Sequence, residues 1–128
     1  MNKDKEFAGK KFIVIGTHGP DHPEKATMVF ACANAAVSIG IETSVFLTSD
    51  AVSLARKDMA GKLPKVEGMA SAKELIESFV AGGGKIQICI PCCKSRGFTD
   101  KDFIEGSKLI NLVEFAAQTV NADRVLTC

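Results

Sequence analysis

The sequence predicts an α/β fold: a three-layer α/β/α sandwich with a mostly parallel sheet of four to five strands. Short apolar segments, typical of buried parallel strands, alternate along the chain with segments of helical periodicity. Of the 128 residues, 46% are hydrophobic and 24% are charged, which excludes a disordered or low-complexity chain. This length suits a single hydrophobic core, so we expect one domain over residues 1–128.

Four strands are predicted from short apolar runs that end near Gly, Pro or polar residues. The run Lys85–Ile90 follows a turn of three glycines, and its isoleucines alternate with Gln87 and Cys89. The predicted strands are Lys11–Gly16, Glu42–Leu47, Lys85–Ile90 and Arg124–Cys128.

Helices are predicted where capping residues precede apolar side chains at helical spacing. Asp21 and Glu24 resemble a capping box around Pro23, and Ser71 and Glu74 form a second one. The first helix carries Cys32 on its apolar stripe. Four helices are predicted, beginning near Asp21, at Ser49–Asp50, after Ser71 and at Ser107. The second should end near Met59. The fourth should run to Val120, with inward-facing residues that include Leu109, Leu112, Val113 and Val120.

Composition argues against two partner classes. Lys and Arg number 16 against 15 acidic residues, and the chain has no Trp or Tyr for base stacking, which disfavours nucleic acid. The longest apolar-rich stretch, Met28–Val37, is about half the length of a membrane span. We expect a cytoplasmic protein with no membrane partner.

Five cysteines are then informative, because a reducing cytosol disfavours a disulfide framework. Three of them crowd into five residues, which points to redox, sulfur or metal chemistry. The cysteines are Cys32, Cys89, Cys92, Cys93 and Cys128.

In a parallel α/β sheet, chemistry lies at the carboxyl ends of the strands. This rule selects three places: the loop Thr17–His22, the turn Thr48–Asp50, and the segment after Ile90. His18 and His22 in the first loop would approach the cysteines only if the first and third strands were neighbours.

The segment after Ile90 has features that stabilise a thiolate. Pro91 suits the first position of a helical turn, whose free amides would point at Cys92. Lys94 and Arg96 add positive charge, and Cys89 is spaced to resolve whatever forms on Cys92. Four interpretations remain open for these cysteines: buried packing residues, a thioredoxin-like site, a zinc site, and sulfur transfer.

With its flanks, the segment "IQICIPCCKSRGFTD" resembles the cysteine loop of the DsrE/DsrF-like family, which includes the TusD and YchN types. The stretches "GIETSVFLTSDAVSLARK" and "ADRVL" are similar to the family's second strand with its following helix and to its last strand. The resemblance covers nearly the whole chain, although only the cysteine loop is specific.

The resemblance implies an oligomeric α/β protein that relays sulfur as a cysteine persulfide. Cys89 falls on the single active cysteine of the TusD type, and Cys92 on the second cysteine of the YchN type. The sequence departs from the single-cysteine pattern by having both, together with Cys93. The resemblance implies a sulfurtransferase-like role whose partners are sulfur donor and acceptor proteins or small persulfides, and we expect no cofactor and no metal. The alternatives are a thiol–disulfide or metal-binding module that uses the same cysteines, and a non-catalytic oligomeric binding protein.

The remaining candidate residues are expected mainly in structural roles. His18 and His22 are expected in loop or cap roles, or as donors near an anion, and Asp21 as a helix cap. Cys32 is expected in core packing, and Cys128 exposed or frayed after the last strand. Zinc is not expected to be needed for folding, and a homo-oligomer, a trimer or hexamer, is expected to cover the apolar surface.

Overall fold

A computed structural model describes residues 6–128. The strands are β1 (Lys11–Gly16), β2 (Glu42–Leu47), β3 (Lys85–Cys89), β4 (Ser107–Ile110) and β5 (Arg124–Thr127). The α-helices are α1 (Pro23–Ser38), α2 (Ala72–Ala81), α3 (Ile90–Lys94) and α4 (Leu112–Asn121). Short 3₁₀ helices span Ser49–Ala55, Ala60–Lys62 and Asp100–Asp102.

The five strands form one sheet in the order β4-β3-β2-β1-β5, with every neighbouring pair parallel. The predicted α/β class and parallel sheet are therefore confirmed. β2 lies between β1 and β3, so the strand carrying the histidine loop and the strand carrying the cysteine loop are not neighbours. All five carboxyl ends nevertheless share one edge of the sheet.

Helices cover both faces of the sheet. On one face, α1 packs on β1 and β2, and its Phe30 ring meets Phe79 of α2 edge-on at 6.0 Å between centroids. On the other face, Phe115 of α4 stacks on Phe46 of β2, with ring centroids 3.6 Å apart. Phe46 and the next residue, Leu47, are both fully buried because alternate side chains of β2 enter the two layers.

The predicted helix from Ser107 to Val120 is wrong in its first part. Residues Ser107–Ile110 instead form β4, which pairs along β3 and supplies the fifth strand. The helix begins at Leu112, because the Asn111 side chain accepts a hydrogen bond from the Glu114 N–H at 2.8 Å. The apolar spacing that suggested one helix spans a strand, a cap and a shorter helix.

Three inward-facing assignments in that helix are also wrong. The exposed fractions of Leu112, Val113 and Val120 are 52%, 81% and 85%. The helix α4 contacts the sheet through Phe115 but has no fully buried residue. An apolar stripe is thus left on the surface.

Of the two predicted helix caps, one is confirmed and the other is wrong. The Ser71 cap of α2 is confirmed, since its hydroxyl accepts from the Glu74 N–H. At α1, however, the cap is His22, whose Nδ1 accepts from the Lys25 N–H at 3.3 Å. Asp21 instead accepts hydrogen bonds from His18 Nδ1 at 2.9 Å and from the Gly19 N–H at 2.7 Å.

The segment after β2 is shorter than expected. The helix predicted to reach Met59 is a 3₁₀ helix that ends at Ala55, with buried Val52 and Leu54 filling the space beneath it. Its end is held by the chain that follows the cysteines, because the Ile104 N–H donates to the Ala55 carbonyl at 2.9 Å. The loop after β2 and the loop after β3 are therefore joined.

Candidate functional site

The candidate site lies at the carboxyl end of β3. The strand ends at Cys89, one residue earlier than predicted, and Ile90 already opens α3 with Pro91 in its first turn. Proline cannot continue a strand ladder but fits the first turn of a helix, so the chain leaves the sheet at this point. Cys89, Cys92 and Cys93 are consequently placed on the last residue of the strand and within α3.

The three thiols differ in exposure. Cys89 is 3% exposed and Cys93 is 2% exposed, and both pack against the hydrophobic core. Cys92 is half-buried. Of the three cysteines, Cys92 therefore presents its sulfur most openly to an incoming molecule.

Cys89 and Cys92 form a close thiol pair. Their Sγ atoms are 2.9 Å apart and joined by a hydrogen bond. Because the separation of three residues covers almost one helical turn, α3 brings the second sulfur over the first. Such a pair can hold sulfur on one thiol and release it with the other.

Burial keeps the inner thiols protonated. Desolvation and the hydrogen bond with Cys92 raise the pKa of the Cys89 thiol to about 11, although the Cys92 amide lowers it. Burial also raises the pKa of Cys93 to about 11, with charge on its cysteine neighbours adding to the shift. At neutral pH, Cys89 and Cys93 are thiols.

The hydrogen-bond donors around the pair are not those expected from the sequence. The amide of the helical turn, from Cys92 itself, interacts with the sulfur of Cys89 and not with its own. The sulfur of Cys92 instead accepts a hydrogen bond from the backbone N–H of Ser49 at 3.2 Å. The donor to Cys92 therefore comes from a different strand end, that of β2.

Arg96 connects these two loops. Its guanidinium donates to Oδ1 of Asp50 from Nη2 at 2.6 Å and from Nε at 3.3 Å, while Nη1 donates to the Cys92 carbonyl at 3.1 Å. Asp50 raises the pKa of Arg96 through this hydrogen bond and its charge. Arg96 thus holds the cysteine helix α3 against the turn after β2, and it places a positive charge near the thiols.

The chain beyond Arg96 closes the loop. Gly97 has φ +72°, a left-handed conformation that suits glycine, and lets the Phe98 N–H donate to the Cys93 carbonyl at 3.0 Å. The guanidinium of Arg56 lies 4.3 Å from the centre of the Phe98 ring. These contacts fix the base of the cysteine loop on the end of the first 3₁₀ helix.

The other residues expected at the site lie elsewhere or make different contacts. Lys94 is exposed on α3 and forms no ion pair among the described residues. His18 and His22 lie together in the loop after β1, with ring centroids 5.4 Å apart. That loop reaches the site indirectly, because Gly19 packs so closely on Asp50 that a side chain there would collide with the Asp50 carbonyl oxygen.

Ser49 and Asp50 are the site residues that the sequence argument did not identify. The rule on strand ends pointed to their turn, but no local pattern shows that the Ser49 amide faces Cys92 or that Asp50 faces Arg96. Within residues 6–128, no group of three or more His, Cys, Asp or Glu side chains is arranged to hold a metal ion.

Comparison with known proteins agrees with this architecture. The model of the DsrE/DsrF-like family matches residues 10–128. The chain belongs to the DsrE/DsrF-like family. It is 32% identical over 117 residues to the uncharacterised protein MJ0989 of Methanocaldococcus jannaschii, covering 91% of this chain and 98% of that one. It is also 28% identical over 120 residues to protein YchN of Escherichia coli, covering 92% and 98%.

Solved structures show the same fold. The crystal structure of the YchN protein from E. coli matches with a TM-score of 0.78 and 25% identity, covering 93% of this chain and 99% of that one. Protein MTH1491 from Methanobacterium thermoautotrophicum matches at a TM-score of 0.69 and 13% identity, which shows a shared fold alone. None of the helices within residues 6–128 combines the length and apolarity that a membrane span requires.

Proposed function

We propose that this family member is a sulfur-relay protein that accepts sulfur on Cys92 as a persulfide and uses Cys89 as the resolving thiol. The observation that carries the proposal is the 2.9 Å contact between their sulfur atoms, with one sulfur half-buried and the other enclosed. Membership of the DsrE/DsrF-like family supports a sulfur-relay role in general.

The first step is thiol exchange at a persulfide. The Cys92 thiolate attacks the outer sulfur of a donor persulfide, R–S–SH, forming a sulfur–sulfur bond and breaking the donor's. The donor leaves as a thiolate and takes up the proton that Cys92 gave, so the products are R–SH and Cys92–S–SH. The Ser49 N–H, 3.2 Å from Sγ, stabilises negative charge on Cys92 before the attack.

Two fates are then open to the bound sulfur. An acceptor thiolate can attack the outer sulfur, which regenerates Cys92 and leaves a persulfide on the acceptor. Alternatively, Cys89 attacks Sγ of Cys92, hydrogen sulfide leaves, and the two cysteines are joined as a disulfide. The second route consumes two electrons from the protein, so an external dithiol must reduce the disulfide before the next cycle.

The surrounding residues have supporting roles in this proposal. Arg96 holds the cysteine helix against Asp50 and adds positive charge near the thiols. Lys94, exposed on the same helix, is placed to meet an anionic donor or acceptor protein. Cys93 is enclosed in the core, where it packs and does not react. We place this chemistry in the cytoplasm, where thiols remain reduced.

Mass spectrometry tests the assignment directly. The protein and its variants are incubated with a small persulfide donor, the mass of one added sulfur atom is sought, and peptide mapping locates it. We expect Cys92→Ser to lose sulfur uptake and Cys89→Ser to load sulfur without releasing sulfide. Cys32→Ser, which lies on α1, is the matched control and should load like the parent. Normal loading of the Cys89→Ser, Cys92→Ser double variant would refute the proposal.

A thiol–disulfide oxidoreductase is the second candidate, because the same sulfur contact suits a disulfide. The loading experiment separates the two functions. The Cys89→Ser variant is used because it cannot release the sulfur by closing the disulfide. In this variant a sulfur-relay protein keeps one sulfur that cyanide removes as thiocyanate. An oxidoreductase attacks the inner sulfur of the donor instead, so Cys92 carries the donor as a mixed disulfide and no cyanide-labile sulfur is found.

We further propose that the chain forms a homo-oligomer, as a trimer or hexamer. Exposed apolar side chains lie on α4 and on the neighbouring face of β5; they are Leu112, Val113, Val120 and Val125. The strand β5 also lies at the edge of the sheet, with one side unpaired among the described strands. Natural proteins normally cover both kinds of surface, and a second copy of the chain can cover them together.

A further inference from the structure

The remaining two cysteines lie together on the side of the sheet that faces α1. Cys32 was expected in core packing and Cys128 was expected exposed or frayed, but both are half-buried. The Cys128 N–H donates to the Ile15 carbonyl at 2.9 Å, which extends the ladder between β5 and β1 by one residue. Cys128 is therefore held in place next to Gly16.

The register points Cys128 towards α1. Residues side by side on parallel strands project to the same face, so Cys128 shares the face of Gly16. A side chain at Gly16 would lie 3.1 Å from a methyl of Val29 on α1. The absence of a side chain at Gly16 lets Val29 pack directly on the end of β1, so α1 lies close to the face that Cys128 shares.

Cys32 lies one helical turn beyond Val29 on the same face of α1. Side chains in a helix lean towards its amino end, and the amino end of α1 lies at the carboxyl edge of the sheet, where Cys128 is. Burial raises the pKa of the Cys128 thiol, and the charge of Cys32 and its side-chain hydrogen bond raise it further. The strand register and the helix position together place the two side chains beside each other, between α1 and the end of β5.

The pair also lies at the carboxyl edge of the sheet, where parallel sheets bind ligands. Cys128 follows the carboxyl end of β5, and α1 begins beyond the carboxyl end of β1. The strands β1 and β2 separate Cys128 from β3 and the Cys89–Cys92 loop.

We propose that Cys32 and Cys128 form a second dithiol site, which reduces a low-molecular-weight disulfide and becomes a disulfide in turn. One thiolate of the pair attacks a sulfur of the small disulfide, forming a mixed disulfide and expelling one small thiolate. The second thiolate attacks the protein sulfur of that bond, forming Cys32–Cys128 and expelling the other. The two protein thiols lose two electrons and two protons, which leave on two small thiols.

The Cys32–Cys128 disulfide would link α1 to the end of the edge strand β5 and would close a loop that contains most of the chain. A disulfide that closes a long loop constrains the unfolded chain, so oxidation should raise the melting temperature by roughly 10 °C. This effect is independent of sulfur loading at Cys92, since the two pairs share no residue.

The test uses oxidised glutathione as the small disulfide. The parent protein and the Cys89→Ser, Cys92→Ser variant are treated, digested without reduction, and mapped by mass spectrometry. We expect a Cys32–Cys128 linked peptide in both proteins, and we expect Cys128→Ser to retain one glutathione on Cys32. If both thiols stay free, or if each carries its own glutathione with no linked peptide, the proposal is wrong. The parent protein gives the answer even where a variant does not fold.

Discussion

The backbone N–H of Ser49 donates to the sulfur of Cys92 over 3.2 Å, which joins the end of β2 to the cysteine helix after β3. Ser49 holds a φ of +51°, a left-handed conformation that costs a residue with a side chain roughly 1–2 kcal/mol. Backbone strain of this kind persists where the surrounding structure holds it, and it concentrates at functional sites. Here the strain aims an amide at the most accessible sulfur of the site.

Replacing Ser49 tests whether this backbone conformation matters for Cys92. A β-branched residue fits poorly at positive φ, so Ser49→Val should lower the free energy of unfolding by about 1–2 kcal/mol. If the turn relaxes to negative φ, the amide leaves Cys92, and its rate of alkylation by iodoacetamide should fall severalfold. Rates measured by peptide mapping at neutral pH check this.

Ser49→Gly is the matched control, because glycine adopts positive φ freely and keeps the N–H. This variant should alkylate at Cys92 as fast as the parent and should be at least as stable. Equal alkylation rates in the valine and glycine variants would show that the amide does not activate Cys92.

The ion pair between Asp50 and Arg96 should affect reactivity more than stability. The side chains are 50% and 30% exposed, so breaking the pair should change the free energy of unfolding by less than about 1 kcal/mol. Arg96→Gln removes the link to Asp50 and to the Cys92 carbonyl, and sulfur loading should slow by about tenfold as the cysteine helix loosens. The loading reaction is quenched at a series of times, and intact-mass spectrometry of each sample gives the rate.

Arg96→Lys separates geometry from charge. Lysine keeps the positive charge but cannot span both the Asp50 carboxylate and the Cys92 carbonyl with one planar group. We therefore expect it to load nearly as slowly as Arg96→Gln. Full loading by the lysine variant would show that only the positive charge is needed and that Arg96 does not act by positioning the cysteine helix.

The sequence predicted the fold class well, and it failed where pairing between distant segments decides the structure. The strands β1, β2 and β5 were predicted almost to the residue because apolar runs between turn residues describe them locally. Ser107–Ile110 was assigned to a helix because its apolar spacing continues into α4. Only the open edge of β3, distant in sequence, makes it a strand.

The candidate site shows the same division. The contact between Cys89 and Cys92 follows from their spacing in a single turn, so local reasoning found it. The Ser49 amide and the Asp50 carboxylate reach the site from β2, 43 and 46 residues from their partners. No local pattern encodes those contacts, because they depend on the order of strands in the sheet.

The raised pKa of Cys89 predicts how sulfide release depends on pH. With a pKa of about 11, Cys89 is almost wholly protonated at neutral pH. As long as the pH is below the pKa, each increase of one pH unit raises the thiolate fraction about tenfold. If attack by Cys89 expels the sulfide, release from loaded protein should accelerate about tenfold per unit between pH 7 and pH 9. A sulfide electrode follows the reaction in the absence of an acceptor thiol.

Transfer to an added acceptor thiol provides the internal comparison, because it does not use Cys89. Cys89→Ser should abolish the pH-dependent release and keep transfer. A release rate that does not change with pH, or that survives in Cys89→Ser, would remove Cys89 from the resolving role.

The exposed stripe on α4 predicts how the protein assembles. Val113 and Val120 are 81% and 85% exposed, so a charge at either position costs the isolated chain little. In an oligomer that buries this stripe, Val113→Lys together with Val120→Lys would place unpaired charges in an apolar interface. We expect the parent to sediment as a trimer or hexamer at micromolar concentration and the double variant to sediment as a smaller species.

Lys73→Glu, an exposed charge change on α2, is the control and should leave the assembly intact. Circular dichroism should show that the double variant remains folded, because α4 is held to the sheet by Phe115 stacked on Phe46 and not by the two valines. A monomeric parent would overturn the proposed oligomer. An unchanged oligomer in the folded double variant would instead place the interface on another face of the molecule.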